Sequence, residues 1–404
     1  MKKIYLPILK FIASLLLLTS CNNDDKEIVR VLTIKISPSY SPNSAEIGYF
    51  FVSDSLGAVL DTKKIEAGQD VKLSINKPLD KVNLTLCRLF KTETQEDNTF
   101  STFLNVPISD QPIDFATIAP PTPIGSAKIT ISNYTGLTNS LIVSNGFDNT
   151  STLNGFVKPE ELNNKILTTE VGLIQNNSEI VLTGLRKSNT SGYDKVYFSV
   201  KGVNINDNIE IDYNNFMSYS KKLDVNFTGT LSGSIMGFKG SNKDRGHWLF
   251  TTSFVSSLTY LGYLDGYDNY LTSLGSYKTN MSSSYSKFGS LPSSITFSEP
   301  TLNVTSKDIN NFNFVFSEPY TFRTSSWFYS ENNNYFSWYV RGEKLGQKIK
   351  LPEEILSKYN FLKIENLEYV GSTFTICKEG SYAGKIKEFF SGERTNLEFY
   401  QYSF

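Results

Sequence analysis

One histidine, three cysteines, four methionines and almost no net charge are what this 404-residue chain is short of. With His247 as its only histidine, most zinc sites and His-dependent nucleophiles lack their usual ligand or base. Thirty-nine Lys+Arg stand against 40 Asp+Glu, which gives no basic footprint, so no nucleic-acid partner is expected. No Walker loop, dinucleotide fingerprint, paired-cysteine metal motif or G-x-S-x-G elbow occurs. No cofactor, metal or catalytic residue is therefore assigned, and the chain reads as a non-enzyme. Cys87 and Cys377 lie 290 positions apart. They read as separate thiols packed in sheets rather than a disulfide. After the first twenty residues no run is long and apolar enough for a membrane-spanning helix. What is abundant is aromatic side chain, with 29 Phe and 23 Tyr in a 14% aromatic composition. Rings of this kind carry much of the area that cores and binding faces bury.

The N-terminus reads as an address. Lys2 and Lys3 precede an apolar stretch, Ile4 to Leu18, broken by Lys10. That stretch is too short and interrupted for a transmembrane span and fits a signal peptide over residues 1–20. Leu18-Thr19-Ser20-Cys21 resembles the lipobox of bacterial lipoproteins. The resemblance implies cleavage between Ser20 and Cys21 and lipid on the Cys21 sulfur, hence a membrane partner held through acyl chains. The acidic tether 21–28 (Asn22-Asn23-Asp24-Asp25-Lys26-Glu27 after the cysteine) is similar to the signals that send lipoproteins of Bacteroidota to the outer face of the outer membrane. It also serves as a plain solvated linker. Loss of Lys2, Lys3 and Lys10 with the leader leaves 36 basic against 40 acidic side chains. The expected location is the outer membrane, lipid-anchored and surface-exposed.

The body of the chain alternates with period two. Residues 29–109 hold six short strand patterns between turn signals and predict a small Ig-like sandwich. Within them, the stretch GYFFVSDSLGAVLDTKKIEAGQDVKLSI (48–75) resembles small Ig-like or transthyretin-like modules of exported bacterial proteins in its rhythm. Residues 110–124, with Pro112, Pro120, Pro121 and Pro123, predict a linker. A second sandwich is expected over 125–214 and a larger aromatic-rich β domain over 215–404, the alternative being one domain over 125–404. The fold class is thus mainly β, as two or three tandem antiparallel sandwiches with little helix. Short helices are expected at Lys158–Leu162 and Leu351–Leu356. In each, Pro and two glutamates fit the start of a helix and need no acid/base role.

Three clusters are candidate sites. In the segment Trp327–Tyr339, two aromatic strands flank Asn332-Asn333, which suits a tight turn. That register places Trp327 opposite Trp338 and Tyr329 opposite Phe336 on one face, with Phe328, Tyr335, Ser337 and Tyr339 on the other. One face belongs to a core, and the other is ordinary surface or an aromatic platform for sugar rings. Trp327, Tyr329, Tyr335, Trp338 and Tyr339 are the residues at stake. In Tyr260–Tyr270, tyrosines recur at helical spacing, although Gly262 and Gly266 weaken a helix. Tyr263 and Tyr267 there either line a ligand groove or pack on a sheet. Asp244-Arg245-Gly246-His247-Trp248 juxtaposes acid, base and imidazole but offers no nucleophile, and reads as a loop entering a strand.

These features predict a surface-anchored, non-catalytic binding module whose partner is a glycan. The rivals are an adhesin-like envelope protein with protein partners and a carboxylate-dependent glycan hydrolase. The hydrolase needs two acidic groups facing each other across a cleft.

Overall fold

The computed structural model describes residues 29–38, 40, 46–115, 122–136, 141–146, 151–152, 165–187, 193–240, 245–343, 348–392 and 398–404. The leader, Ser20 and Cys21, the acidic tether, residues 116–121 of the proline-rich segment, the helix expected at Lys158–Leu162 and Asp244 lie outside them.

The fold is nearly all β. The first stretch holds β1 (Arg30–Ile36), β2 (Glu46–Ser53), β3 (Val59–Lys64), β4 (Val71–Ile75), β5 (Lys81–Lys91), β6 (Glu96–Pro107) and β7 (Ile113–Phe115). The second holds β8 (Gly125–Ser132), β9 (Ile142–Ser144), β10 (Ser151–Thr152), β11 (Leu167–Leu173), β12 (Ser178–Lys187), β13 (Tyr193–Val203), β14 (Asn208–Asp212) and β15 (Met217–Ser218). The third begins with β16 (Lys221–Phe238), β17 (Gly246–Tyr263), β18 (Asn269–Lys278), β19 (Met281–Gly289), β20 (Leu302–Ser306) and β21 (Asn313–Phe316). It ends with β22 (Phe322–Glu331), β23 (Asn334–Gly342), α1 (Glu353–Leu356), β24 (Glu368–Cys377), α2 (Tyr382–Ser391) and β25 (Glu398–Ser403). α1 follows Pro352 and opens on Glu353 and Glu354, the helix start its sequence predicted.

Twelve strands form one sheet, in the order β17-β16-β18-β19-β25-β24-β22-β23-β6-β5-β2-β3. The first stretch is therefore not a self-contained sandwich. β6 pairs in parallel with β23, from Asp97 beside Tyr335 to Phe103 beside Arg341. The reason is written in β2, β5 and β6, whose residues are buried on both parities. A strand buried on both faces needs two covers, and residues 30–115 supply only one. That cover is the small sheet β4-β1-β7, which meets Phe50, Val52, Leu84, Leu86 and Phe103. The C-terminal helix α2 completes this core with Tyr382, Ile386 and Phe390. The opposite face carries Tyr49, Phe51, Cys87, Leu89 and Phe100, packed with the β20–β21 hairpin, α1 and both buried tryptophans of the aromatic hairpin.

Residues 125–218 build two sheets, β10-β9-β12-β13-β15 and β11-β8-β14, around Ile129, Ile131, Val143, Leu182, Val196 and Tyr213. The β16–β17 hairpin, with 18 residues in each strand, doubles back on itself. Register shifts mark the bend at 224–233, where Gly229 has φ +115°. After the bend, residues far apart along one strand meet: Phe250 and Tyr260 lie 6.0 Å apart, ring to ring. The folded hairpin thus supplies both layers of a further core, which contains Leu231, Ile235, Phe250, Leu258 and Leu261. Cys87 and Cys377 are both free thiols.

Candidate binding trough

The aromatic hairpin forms in the register its sequence predicted. Trp327 pairs with Trp338 and Tyr329 with Phe336, and Asn332 and Asn333 adopt φ +51° and +65° at the turn. Its tryptophans are core: Trp327 is 1% exposed and Trp338 0%. Trp327 Nε1 donates to Lys307 O at 2.8 Å, and Trp338 Nε1 donates to Thr102 Oγ1 at 2.9 Å. Neither offers a ring to a ligand. Tyr329, on the same face, stacks on Phe361 at 5.0 Å. The solvent side is the other face. There Phe328 is 37% exposed and its ring lies 6.2 Å from that of Tyr335, while Tyr339 is half-buried.

The tyrosines of 260–270 do not form a helix. Tyr263 ends β17, and residues 264–268 cross to β18. Tyr263 meets Tyr270 edge-on at 6.0 Å. Tyr267 packs 5.8 Å from His247 and donates to Glu179 Oε2 at 3.4 Å. Both pack against neighbouring strands, and neither lines the cavities of about 480 Å³ and 440 Å³ on the large sheet. His247 lies 4.0 Å from the same carboxylate, which also receives Lys239 Nζ at 2.5 Å and Ser199 Oγ at 3.1 Å. Burial pulls the His247 imidazole below its ordinary pKa, against the opposing pull of Glu179. Burial would raise the Glu179 carboxyl, but Lys239 and His247 hold it below the usual value. This network ties the second sandwich to β16–β18.

The wet face of the aromatic hairpin continues across the large sheet. Register carries one row from Thr230 (β16) through Tyr277, Ser282, Ser403, Thr373, Thr324 and Arg341 to Phe103. The next row is Ser232, Gly275, Ser284, Gln401 and Thr375, and the one after is Ser234, Ser273, Ser286, Phe399 and Cys377. Because side chains alternate with period two, all three rows lie on one face, while Leu231, Leu274, Tyr285 and Tyr400 face the core beneath. A cavity of about 480 Å³ opens over the serine rows, between Trp248 at one end and Tyr277 and Phe399. Gln401 joins it to a second cavity of about 440 Å³ at the edge of α2. The floor is a chain of polar contacts. Ser232 Oγ and Tyr277 OH lie 3.2 Å apart, Thr373 Oγ1 and Ser403 Oγ 2.8 Å, and Gln401 Nε2 donates to Thr375 Oγ1 at 3.3 Å. At Gly275 a Cβ would stand 2.8 Å from Ser232 Oγ and 3.1 Å from Tyr277 OH, so a larger residue would displace these two hydroxyls. From β16 to β23 the trough crosses six inter-strand steps of about 4.8 Å, roughly 29 Å in all.

Sequence reasoning missed Trp248, Tyr277, Phe399, Gln401 and the serine rows. Their signal was present as alternation of hydroxyl or glycine with larger residues, as in Thr230-Leu-Ser232-Gly-Ser234-Ile. What it could not show is that β25, the chain's last strand, inserts between β19 and β24 and joins the rows.

The chain matches no protein-family model, and no curated protein matches it significantly in sequence.

Proposed function

We propose that the protein is a surface-anchored, non-catalytic binding module whose trough holds a glycan chain. The single observation behind this is the uncovered sheet face with hydroxyls along its floor and Trp248, Tyr277 and Phe399 around it. Sugar rings present apolar C–H faces and rims of hydroxyls, so aromatics plus short polar side chains match them. The length favours an oligosaccharide over a single ring. Binding is favoured over hydrolysis because, among the described residues, Glu388 is the only carboxylate lining the two cavities and it pairs with Lys385 at 2.6 Å. A hydrolase of the two-carboxylate kind needs a second, facing acid. The anchor proposed is lipid on Cys21 at the outer membrane.

The test is electrophoresis of the full chain through gels containing plant, algal and host polysaccharides. Retardation by at least one glycan is expected. Trp248→Ala and Tyr277→Ala should each weaken it about tenfold, the loss of one stacking ring, with folding intact. Retardation by none would move the reading to a protein partner. Labelled palmitate should enter the protein and be lost in Cys21→Ala; incorporation that survives the substitution would remove the anchor.

A further inference from the structure

At the edge of α2 the trough deepens into the second cavity, and Arg341 lines it. The guanidinium carbon lies 4.8 Å from the Phe389 ring centre, 5.2 Å from Phe103 and 5.7 Å from Tyr339. Its Nη1 is buried and has no hydrogen-bond partner among the described residues. Glu388 belongs to Lys385, and no ion pair among the described residues includes Arg341. Burial pushes the guanidinium below its ordinary pKa, with only the Tyr382 and Tyr339 hydroxyls pulling the other way. Two cations and one anion therefore line this cavity, and the cation left over is the half-buried Arg341.

A buried charge is costly unless it is paired and hydrogen-bonded. Three aromatic neighbours offset part of that cost through cation–π attraction. Ring faces do not, however, take up the in-plane N–H groups of a guanidinium, which fit the two oxygens of a carboxylate. Thr324, Thr373 and Ser403 stand beside Arg341 in the same cavity and add hydroxyl donors. The serine rows, by contrast, put no charged side chain into the first cavity. The trough is thus neutral along one stretch and cationic at one spot.

We propose that Arg341 is a subsite for a carboxylate carried on the bound glycan, so that the trough selects chains containing uronic acids. This rests on the glycan-binding reading of the trough and names the ligand class within it.

The experiment measures binding of the full chain to polygalacturonate, alginate and hyaluronan, each beside its carboxyl-reduced form, and to a sulfated galactan. Carboxyl reduction of a bound polymer is expected to weaken binding about tenfold or more, the worth of a charge-assisted hydrogen-bonded pair. Arg341→Gln should bind the acidic and reduced forms equally, whereas Trp248→Ala should weaken both. Equal binding of the two forms by the wild type, or a preference that survives in Arg341→Gln, overturns the proposal and leaves the trough reading standing. Preference for the sulfated galactan over every polyuronate overturns the carboxylate assignment. No binding to any glycan fells the trough reading and this proposal with it. Should Arg341→Gln not fold, competition on the wild type decides. Displacement of bound polymer by free glucuronate and not by glucose supports the carboxylate subsite, and equal displacement refutes it.

Discussion

Lys195 shows how a single side chain couples two parts of this molecule. It leaves β13 in the second sandwich and donates to Thr251 O of β17 at 2.5 Å, with its ammonium 5.6 Å from the Phe250 ring centre. Burial pulls its pKa down from 10.5 to about 8. Between those values the unfolded chain binds the proton that the folded chain has released, so stability from this group rises with pH. Below about 8 both states are charged, and the folded state carries the full cost of the buried ammonium. Replacing Lys195 by Met removes that cost together with the hydrogen bond. The stability of wild type relative to Lys195→Met should therefore increase from about pH 7 to about pH 10, by at most about 3 kcal/mol. Thermal melts of both proteins across that range check it, and a constant gap would show that the ammonium stays solvated. The tryptophans make a related point. Trp327 and Trp338 looked like binding residues by type, yet they are the pair the sheet buries. Register and alternation were legible in Trp327–Tyr339, but the identity of the wet face was not. It depends on β20, β21 and α1 covering one side, and those elements lie elsewhere in the chain.

The doubled β16–β17 hairpin is the element whose shape was least legible. Its sequence reads only as part of an aromatic-rich β region, with helical tyrosine spacing over 260–270, and nothing local says that the two halves pack on each other. Gly262 carries part of the reason. A Cβ there would lie 2.4 Å from Tyr219 Cγ, and the buried Tyr219 hydroxyl donates to Leu249 O in the other half. The glycine that argued against a helix in 260–270 is instead the space that lets Tyr219 sit between the layers. Gly262→Ala should force the ring to move and cost about 1–3 kcal/mol, as overpacking does. A shift of the urea midpoint at unchanged slope would measure it, and an unchanged midpoint would mean that the layers yield freely. β2, β5 and β6 teach the same lesson from the other side. Their apolar character predicted strands correctly, but strands buried on both faces cannot close a sandwich alone.

At the scale of the whole molecule, the large sheet joins the two ends of the chain. β6 depends on β23 for a partner, and Phe103 depends on Phe389 and Phe390 of α2, at 4.8 Å from each. Residues 29–115 expressed alone should therefore lack cooperative unfolding, because one face of β2, β5 and β6 would be bare. Residues 122–218 carry their own core and should melt cooperatively by themselves. Circular dichroism melts of the two fragments test both expectations, and a folded 29–115 would show that the C-terminal strands only decorate it.

The amino-acid sequence by itself determined the β class, the position of most strands, the register of the aromatic hairpin and the helix start at Pro352. Each of these is local, set by alternation, turn residues and backbone preference within a few positions. The tertiary structure alone decided which faces are wet, which strands are neighbours, and that serines of β16, β18 and β19 share a floor with Gln401 and Thr373. The joins of β19 to β25 and of β6 to β23 pair residues more than a hundred positions apart, and no local pattern encodes the order in which strands enter a sheet.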